Sequence, residues 1–312
     1  MTKKVVILSN TGDEHSDMLV NACRESGHRV FRYNTDHFRL DGGLTWLFNS
    51  RSACHLQTRD HQWDVGETDL LLHRRPLFVH SRRQDIEAWV GRMLDSEWST
   101  LEKAFGEGDN CRIVNPVAAN EHASNKLVQL RTAIDVDLPI PETLISTDRD
   151  ELLAFAERLP CITKAVGYCN IITDGKMRTG KTLAVSRDML ADFNPQGIPT
   201  LLQHRIEPAA MWRIVKVGPD LFGFRMGGTA LQEDVDSRFV EERLDGEHAI
   251  VPDRIARGLH AMCDRLGIIY ASSDFIEDAG GQRWFIDLNP EGQWGAYENR
   301  FHVPISHAIV SL

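Results

Sequence analysis

Ser273-Asp274-Phe275-Ile276-Glu277-Asp278-Ala279-Gly280-Gly281-Gln282-Arg283-Trp284-Phe285-Ile286-Asp287-Leu288-Asn289 reads as two strands joined by a tight turn. Gly280-Gly281 suits a two-residue hairpin loop, whose central residues need positive φ. Counting outward from that loop sets Asp274 directly opposite Asp287. Cross-strand partners share a face of the sheet, as do residues two apart on one strand. Asp274, Asp287 and Asn289 therefore converge on one face. Three oxygen donors, two of them carboxylates, suit a hard cation such as Mg²⁺, which commonly bridges substrate phosphates. The competing reading is an ordinary hairpin with its polar residues turned to solvent. Against it, Asp and Asn are depleted in strand interiors, and two carboxylates facing each other repel unless a cation lies between them.

The hairpin belongs to a C-terminal region, 203–312. That region opens on strands over 200–206, 212–217 and 221–224, then has a helix over 252–266 and closes with a short helix over 303–312. The central region, 116–202, is expected to hold a helix over 118–134, a strand over 143–145, a helix over 148–158 and a strand over 161–166. A polar segment, 167–181, follows with Asp174-Gly175 as its turn, and then a short helix near 186–193. The N-terminal region, 1–115, reads as α/β. Val5-Val6-Ile7-Leu8 is a buried strand, and the helix after it, 13–25, stops at Gly27. A strand over 28–33 comes next. Two runs, 44–48 and 54–58, flank the polar Asn49-Ser50-Arg51-Ser52 and form a hairpin. An apolar run over 68–72 ends at His73-Arg74-Arg75-Pro76. A long helix over 84–105 carries the stripe Ile86, Val90, Met93, Leu94, Trp98, Leu101 and Phe105 at helical spacing, and the boundary falls near Asn115-Pro116.

Composition sets the outer limits. Hydrophobic residues are 42% and charged residues 26% of the chain, the balance of a globular protein. A net charge of −10 leaves no basic footprint for nucleic acid. No apolar run is long enough to span a bilayer. The N-terminus lacks the apolar stretch of a signal peptide, so a cytoplasmic protein with no membrane partner is expected. The six cysteines include no C-x-x-C and no zinc spacing, so they read as free buried thiols.

Cations that could hold a nucleotide are few. Lys164 shares a strand face with Ile162 and Val166, and a lysine among apolar neighbours is costly unless its charge is used; a phosphate is one use and a snorkelling lysine the other. Lys126 in a helix and Arg213 at the start of a strand say little alone. Gly175-Lys176-Met177-Arg178-Thr179-Gly180-Lys181-Thr182 matches the phosphate-loop pattern, but that loop needs a buried strand before it and a helix directly after. A turn at Asp174-Gly175 between two short strands fits better.

Taken in order, these residues resemble the ATP-grasp ligase superfamily, over 115–312. Asn115-Pro116, Asn125-Lys126 and Leu138-Pro139-Ile140-Pro141-Glu142-Thr143 are similar to the opening of the glutathione-synthetase-like and ribosomal-protein-glutamylating ligases. Ile162-Thr163-Lys164 resembles the second ATP-lysine strand, Leu202-Gln203-His204-Arg205-Ile206 the adenine hinge, and Trp212-Arg213-Ile214-Val215-Lys216-Val217-Gly218 the arginine-bearing strand. Asp236-Ser237-Arg238 is placed like a second phosphate-side arginine, and Asp274 with Asp287-Leu288-Asn289-Pro290 resembles the magnesium motif. Leu72-His73-Arg74-Arg75-Pro76 and Asn289-Pro290-Glu291-Gly292-Gln293-Trp294 resemble the graspetide, microviridin-type ligases, which crosslink ribosomal precursor peptides through Asp or Glu side chains.

The resemblance implies an α/β (α+β) ATP-grasp fold: an N-terminal α/β domain, a central lid subdomain and a C-terminal antiparallel-sheet subdomain. It implies a ligase using ATP and Mg²⁺ through an acyl phosphate. Lys126 and Lys164 would neutralise phosphates, and Gln203, His204 and Ile206 would seat adenine. Arg213 and Arg238 would stabilise the acyl phosphate, and Asp274, Asp287 and Asn289 would hold the metal. Asp287 stands where the family has a glutamate, and Met211 where it has a ribose-binding aspartate, with Glu207 as the substitute. The partner implied is an acidic precursor peptide or a small amino-acid substrate, with a homodimer as the oligomeric expectation. A small-molecule ligase, a phosphate-loop NTPase using Lys181, and a non-catalytic peptide-binding module are the rival readings. Arg74 and Arg75 read equally as contacts for an acidic peptide or as structural ion-pair residues.

Overall fold

The computed structural model describes residues 2–36, 42–49, 52–58, 61–77, 86–105, 111–167, 170–173, 176–186, 189, 197–228 and 245–312. The first region contains β1 (Lys4–Ser9), α1 (Glu14–Glu25), β2 (Arg29–Asn34), β3 (Gly42–Phe48), β4 (Ser52–Thr58), β5 (Gln62–Asp64), β6 (Leu70–His73), α2 (Ala88–Ala104) and β7 (Arg112–Val114). A parallel sheet in the order β2-β1-β6-β7 forms its centre, and β3, β4 and β5 make a separate antiparallel sheet. β1 is covered on both faces: Val5 and Ile7 join one core cluster, Val6 and Leu8 another. That is why it reads as a continuous apolar run. Asp13 caps α1 by accepting from the Ser16 amide, and Gly27 ends the turn after it at φ 70°. α2 begins at Ala88, later than the periodicity suggests; residues 84–85 lie outside the described residues.

The middle region contains α3 (Val117–Ala123), α4 (Lys126–Asp135), β8 (Thr143–Ser146), α5 (Arg149–Arg158), β9 (Cys161–Thr163), β10 (Asn170–Thr173), β11 (Lys176–Thr179), β12 (Leu183–Val185) and β13 (Thr200–His204). Two expectations are corrected here. The helix expected over 118–134 is broken at Ser124-Asn125, because the Asn125 side chain caps a new helix by accepting from the Leu127 and Val128 amides. Such a side chain competes with continued helix. The strand expected over 161–166 ends at Thr163. β12, β9, β13 and β8 form one antiparallel sheet, and β10 and β11 pair separately. The helix expected near 186–193 lies largely outside the described residues.

The last region contains β14 (Ala210–Val217), β15 (Asp220–Gly227), β16 (Asp245–Ala249), α6 (Asp253–Leu266), β17 (Tyr270–Glu277), β18 (Arg283–Asn289), α7 (Gly295–Phe301) and α8 (Ile305–Ser311). Its antiparallel sheet runs β16-β15-β14-β17-β18. One face, carrying Trp212, Ile214, Phe275, Phe285 and Leu288, packs on α6 and α4. The other face meets the first region: Val215, Val217 and Phe224 share a core with Val5, Ile7 and Leu19, and α8 adds Ile305, Ile309 and Val310. Among the described residues no helix is long and apolar enough to cross a membrane.

Candidate active site

Three adjacent strands gather the polar residues. Arg213 on β14 lies opposite Asp274 on β17, and Asp274 lies opposite Asp287 on β18. Arg213 Nε is 2.9 Å from Asp274 Oδ1, and Arg213 Nη1 donates to Ser272 Oγ at 3.0 Å. The Tyr297 ring sits 5.6 Å from the Arg213 guanidinium carbon, within the range of a cation–π contact. Asn289 pairs with Ser272 and so shares this face. Its Oδ1 accepts from the Glu291 amide at 2.9 Å.

The expected pairing of Asp274 with Asp287 is present, but for a different reason. The hairpin tip is not the two-residue loop the glycines suggest. Asp278 Oδ1 accepts from the amides of Gly280 (2.9 Å) and Gln282 (3.0 Å). Gly281, at φ 79°, is the one of the two glycines at positive φ. The longer loop pairs Glu277 with Arg283, Ile276 with Trp284 and Phe275 with Phe285, one residue short of the expected register. A β-bulge at Ile286 then inserts one residue, and Asp287 arrives opposite Asp274.

The bulge sorts the two faces. Phe275 and Phe285 stay in the core at 0% and 1% exposure, ring centroids 5.6 Å apart. The carboxylates of Asp274 and Asp287 stay accessible on the other face, their side chains 31% and 37% exposed. A bulge leaves backbone groups without ladder partners. Here the Phe285 amide donates to Pro139 O at 2.7 Å, and Ile286 O accepts from Lys164 Nζ at 3.0 Å.

Lys164 therefore stands just beyond the end of β9, against the edge of the acidic face. Burial pulls its pKa below the ordinary lysine value, with Lys126 adding to the fall and Asp287 and Asp274 opposing it. Lys126, in the first turn of α4, brings Nζ to 3.8 Å from Asp287 Oδ1. Two lysines, one arginine and two carboxylates thus converge. Among the described residues no group of three His, Cys, Asp or Glu side chains is set to hold a metal; the third donor on this face is the Asn289 amide. An all-oxygen set with two carboxylates fits Mg²⁺ better than a softer metal.

The residues expected to seat adenine lie on and just after β13. Gln203 is buried on β13, and its Nε2 donates to Thr143 Oγ1 at 2.8 Å. Its Oε1 is buried with no hydrogen-bond partner among the described residues. The His204 amide is taken by Glu142 O at 2.8 Å and the Arg205 amide by Pro160 O at 2.8 Å. Ile206 follows the end of β13 and is half-buried. Glu207 is exposed and pairs with Arg205 at 3.2 Å. Arg238 lies outside the described residues, as does most of 167–181 at side-chain level. The phosphate-loop pattern falls on the β10–β11 hairpin, where Thr173 pairs with Lys176, and strand β12 follows it.

Sequence reading missed Ser272, Tyr297 and the Ile286 bulge. It also left Arg74 undecided. Arg74 is 4% exposed, donates to Glu291 O at 2.6 Å, lies 3.5 Å from Asp13 Oδ2 and packs 4.9 Å over the Trp294 ring. It is a structural residue joining the His73-Arg74-Arg75 and Asn289–Trp294 segments.

No family model matches the chain, and no curated protein matches it in sequence. Solved structures do. A Chryseobacterium gregarium RiPP-associated ATP-grasp ligase, solved with ADP and a leader and core peptide, superposes with a TM-score of 0.89 at 21% identity, covering 100% of this chain and 96% of that one. The macrocyclase MdnC of Microcystis aeruginosa, solved with its precursor peptide, gives 0.85 at 20% identity, covering 99% and 98%. D-cycloserine synthetase gives 0.63 at 11% identity, covering 99% and 97%. The chain has the ATP-grasp fold, as the residues from Asn115 onward imply.

Proposed function

We propose that this protein is an ATP- and Mg²⁺-dependent ligase that activates a carboxylate as an acyl phosphate. It then joins the acyl group to an amine or hydroxyl within an acidic ribosomal precursor peptide. The observation that carries the reading is the cation-ringed acidic face. Arg213, Lys126 and Lys164 surround Asp274 and Asp287, in a chain matched end to end by peptide-bound ATP-grasp ligases.

Asp274, Asp287 and Asn289 would hold Mg²⁺, which supplies charge neutralisation at the phosphate oxygens when bound. Lys126 and Lys164 offset the remaining phosphate charge. Gln203, His204 and Ile206 would border the adenine, and Glu207 would reach toward the ribose. The acceptor carboxylate attacks the γ-phosphorus, the bond to the ADP oxygen breaks, and an acyl phosphate results. Attack by nitrogen or oxygen on the acyl carbon then expels inorganic phosphate, and the nucleophile loses its proton. Catalysis is mainly positioning and charge stabilisation. Arg213, held by Asp274 and Ser272, is aimed to stabilise the acyl phosphate and the oxyanion that forms on attack. Arg238 is assigned the same role.

Mass spectrometry of an acidic peptide encoded beside the gene, incubated with the protein, ATP and Mg²⁺, tests this. Loss of one water per crosslink with matching ADP is expected. An unchanged peptide, with ADP formed when free amino acids are added, assigns the protein to small-molecule ligation instead. The likeness to D-cycloserine synthetase keeps that second reading in view.

A further inference from the structure

The segment that follows Asn289 is held almost entirely by side chains from outside it. Pro290 O accepts from Asn115 Nδ2 at 3.0 Å. Glu291 O accepts from both Arg74 Nη1 (2.6 Å) and Arg75 Nη2 (3.0 Å). Gly292 O accepts from Tyr270 Oη at 2.8 Å. His15 Nε2 accepts from the amides of Trp294 (3.2 Å) and Gly295 (3.1 Å). Each carbonyl from 290 to 292 thus has an external donor, and Asn289 itself is tied to the turn through Glu291 N.

We propose that Arg74, Arg75, Asn115 and Tyr270 are positioning residues for Asn289, fixing the third oxygen donor of the cation site through the backbone of residues 290–292. The inference rests on the Mg²⁺-nucleotide reading of that face. All three donors sit in the sheet ladder, but Asp287 is followed by two more paired residues, whereas Asn289 is the last paired residue of β18 and no ladder pairing holds the chain beyond it. Mg²⁺ demands near-octahedral geometry, and a donor at a strand end meets that demand when its outer contacts hold it still. The commitment of a buried guanidinium to this turn follows. Burying Arg74 is costly unless it is paired, and beside its contacts with Asp13 and Trp294 it joins Arg75 in donating to one carbonyl of this turn.

The test separates positioning from gluing. ADP affinity is measured by calorimetry with Mg²⁺ and with EDTA, for the full-length protein and for Arg75→Ala and Tyr270→Phe. Arg75 is partly exposed, and Tyr270→Phe removes one hydroxyl, so both variants are expected to fold; circular dichroism checks this. Arg225→Ala removes a partly exposed partner of Glu277 on the opposite face and serves as the control for loss of an arginine contact away from the site. The expected result is a fall of about tenfold in the Mg²⁺-dependent gain in ADP affinity for both variants, with the EDTA affinity and the control unchanged. A wild-type-sized gain in both variants, or an equal fall in Arg225→Ala, overturns the inference. A wild-type protein that binds no ADP, or gains nothing from Mg²⁺, rejects the nucleotide reading itself and the inference with it.

Discussion

Lys164 Nζ donates to the carbonyl of Ile286 at 3.0 Å, and Ile286 is the extra residue that brings Asp287 opposite Asp274. One lysine thus answers the backbone group freed by the bulge and stands beside the acidic face the bulge creates. Removing it takes a cation from beside that face, the proposed phosphate site. Lys164→Ala is expected to lower ADP-forming turnover by about 10²–10³-fold, the scale of losing one preorganised stabiliser, with the circular dichroism spectrum unchanged. Arg213→Ala is expected to do the same. Near-normal turnover in both variants would reject the site assignment.

Lys181 makes the opposite case. It belongs to a sequence that matches a phosphate loop, yet β10 and β11 form a hairpin and β12 is a strand. Lys181→Ala is expected to keep ADP affinity within about threefold of wild type, because the strand–loop–helix mechanism needs a helix N-terminus at this point. Loss of binding in Lys181→Ala, with binding retained in Lys164→Ala, would revive the phosphate-loop reading.

Gly292 has no room to grow. A Cβ there would lie 2.2 Å from Ser272 Cβ and 3.3 Å from Asn289 O. Ser272 is buried and bonded to Arg213, so it has little freedom to retreat. Gly292→Ala is expected to cost about 1–3 kcal/mol, as overpacking does, and to lower turnover more than stability alone explains. A melting temperature and turnover equal to wild type would show that the turn yields.

His73 makes stability depend on pH. Burial opposes its charge, but Glu102 at 2.6 Å and Glu291 at 3.6 Å outweigh burial and lift its pKa to about 9. The folded value lies above the unfolded one near 6.5. The folded state therefore binds the extra proton. The stabilisation is fully present below pH 6.5 and is lost as pH rises through 9. Its ceiling is about 3 kcal/mol, at roughly 1.4 kcal/mol for each pKa unit. Urea unfolding of wild type and His73→Gln at pH 6, 8 and 10 should show the gap between them narrowing with pH. A constant gap would assign His73 a packing role alone.

The sequence made the ladder logic of the hairpin readable because a period of two and a glycine-rich turn constrain pairing. It could not show the bulge, since Ile286 is as suited to a regular strand as to an irregular one. The longer loop and the inserted residue cancel, so Asp274 and Asp287 meet under either count. The break between α3 and α4 had a local signal, the capping side chain of Asn125, which the apolar periodicity on both sides overrode. β5, β7 and β16 are too short or too exposed to stand out, and β16 is the exposed run Asp245–Ala249. The burial of Arg74 was illegible for another reason. Asp13, Trp294 and Glu291 gather around it from distant parts of the chain, and local spacing carries no trace of such company.

The shared core has a consequence for how this protein can change over time. Val5, Ile7 and Leu19 are covered by Val215, Phe224, Ile305 and Ile309, so neither end of the chain completes a hydrophobic interior without the other. A cut near Asn115-Pro116 would strip apolar cover from both fragments. The first region is accordingly not a detachable module, and recombination between relatives has to carry it together with the final helix to keep either one folded.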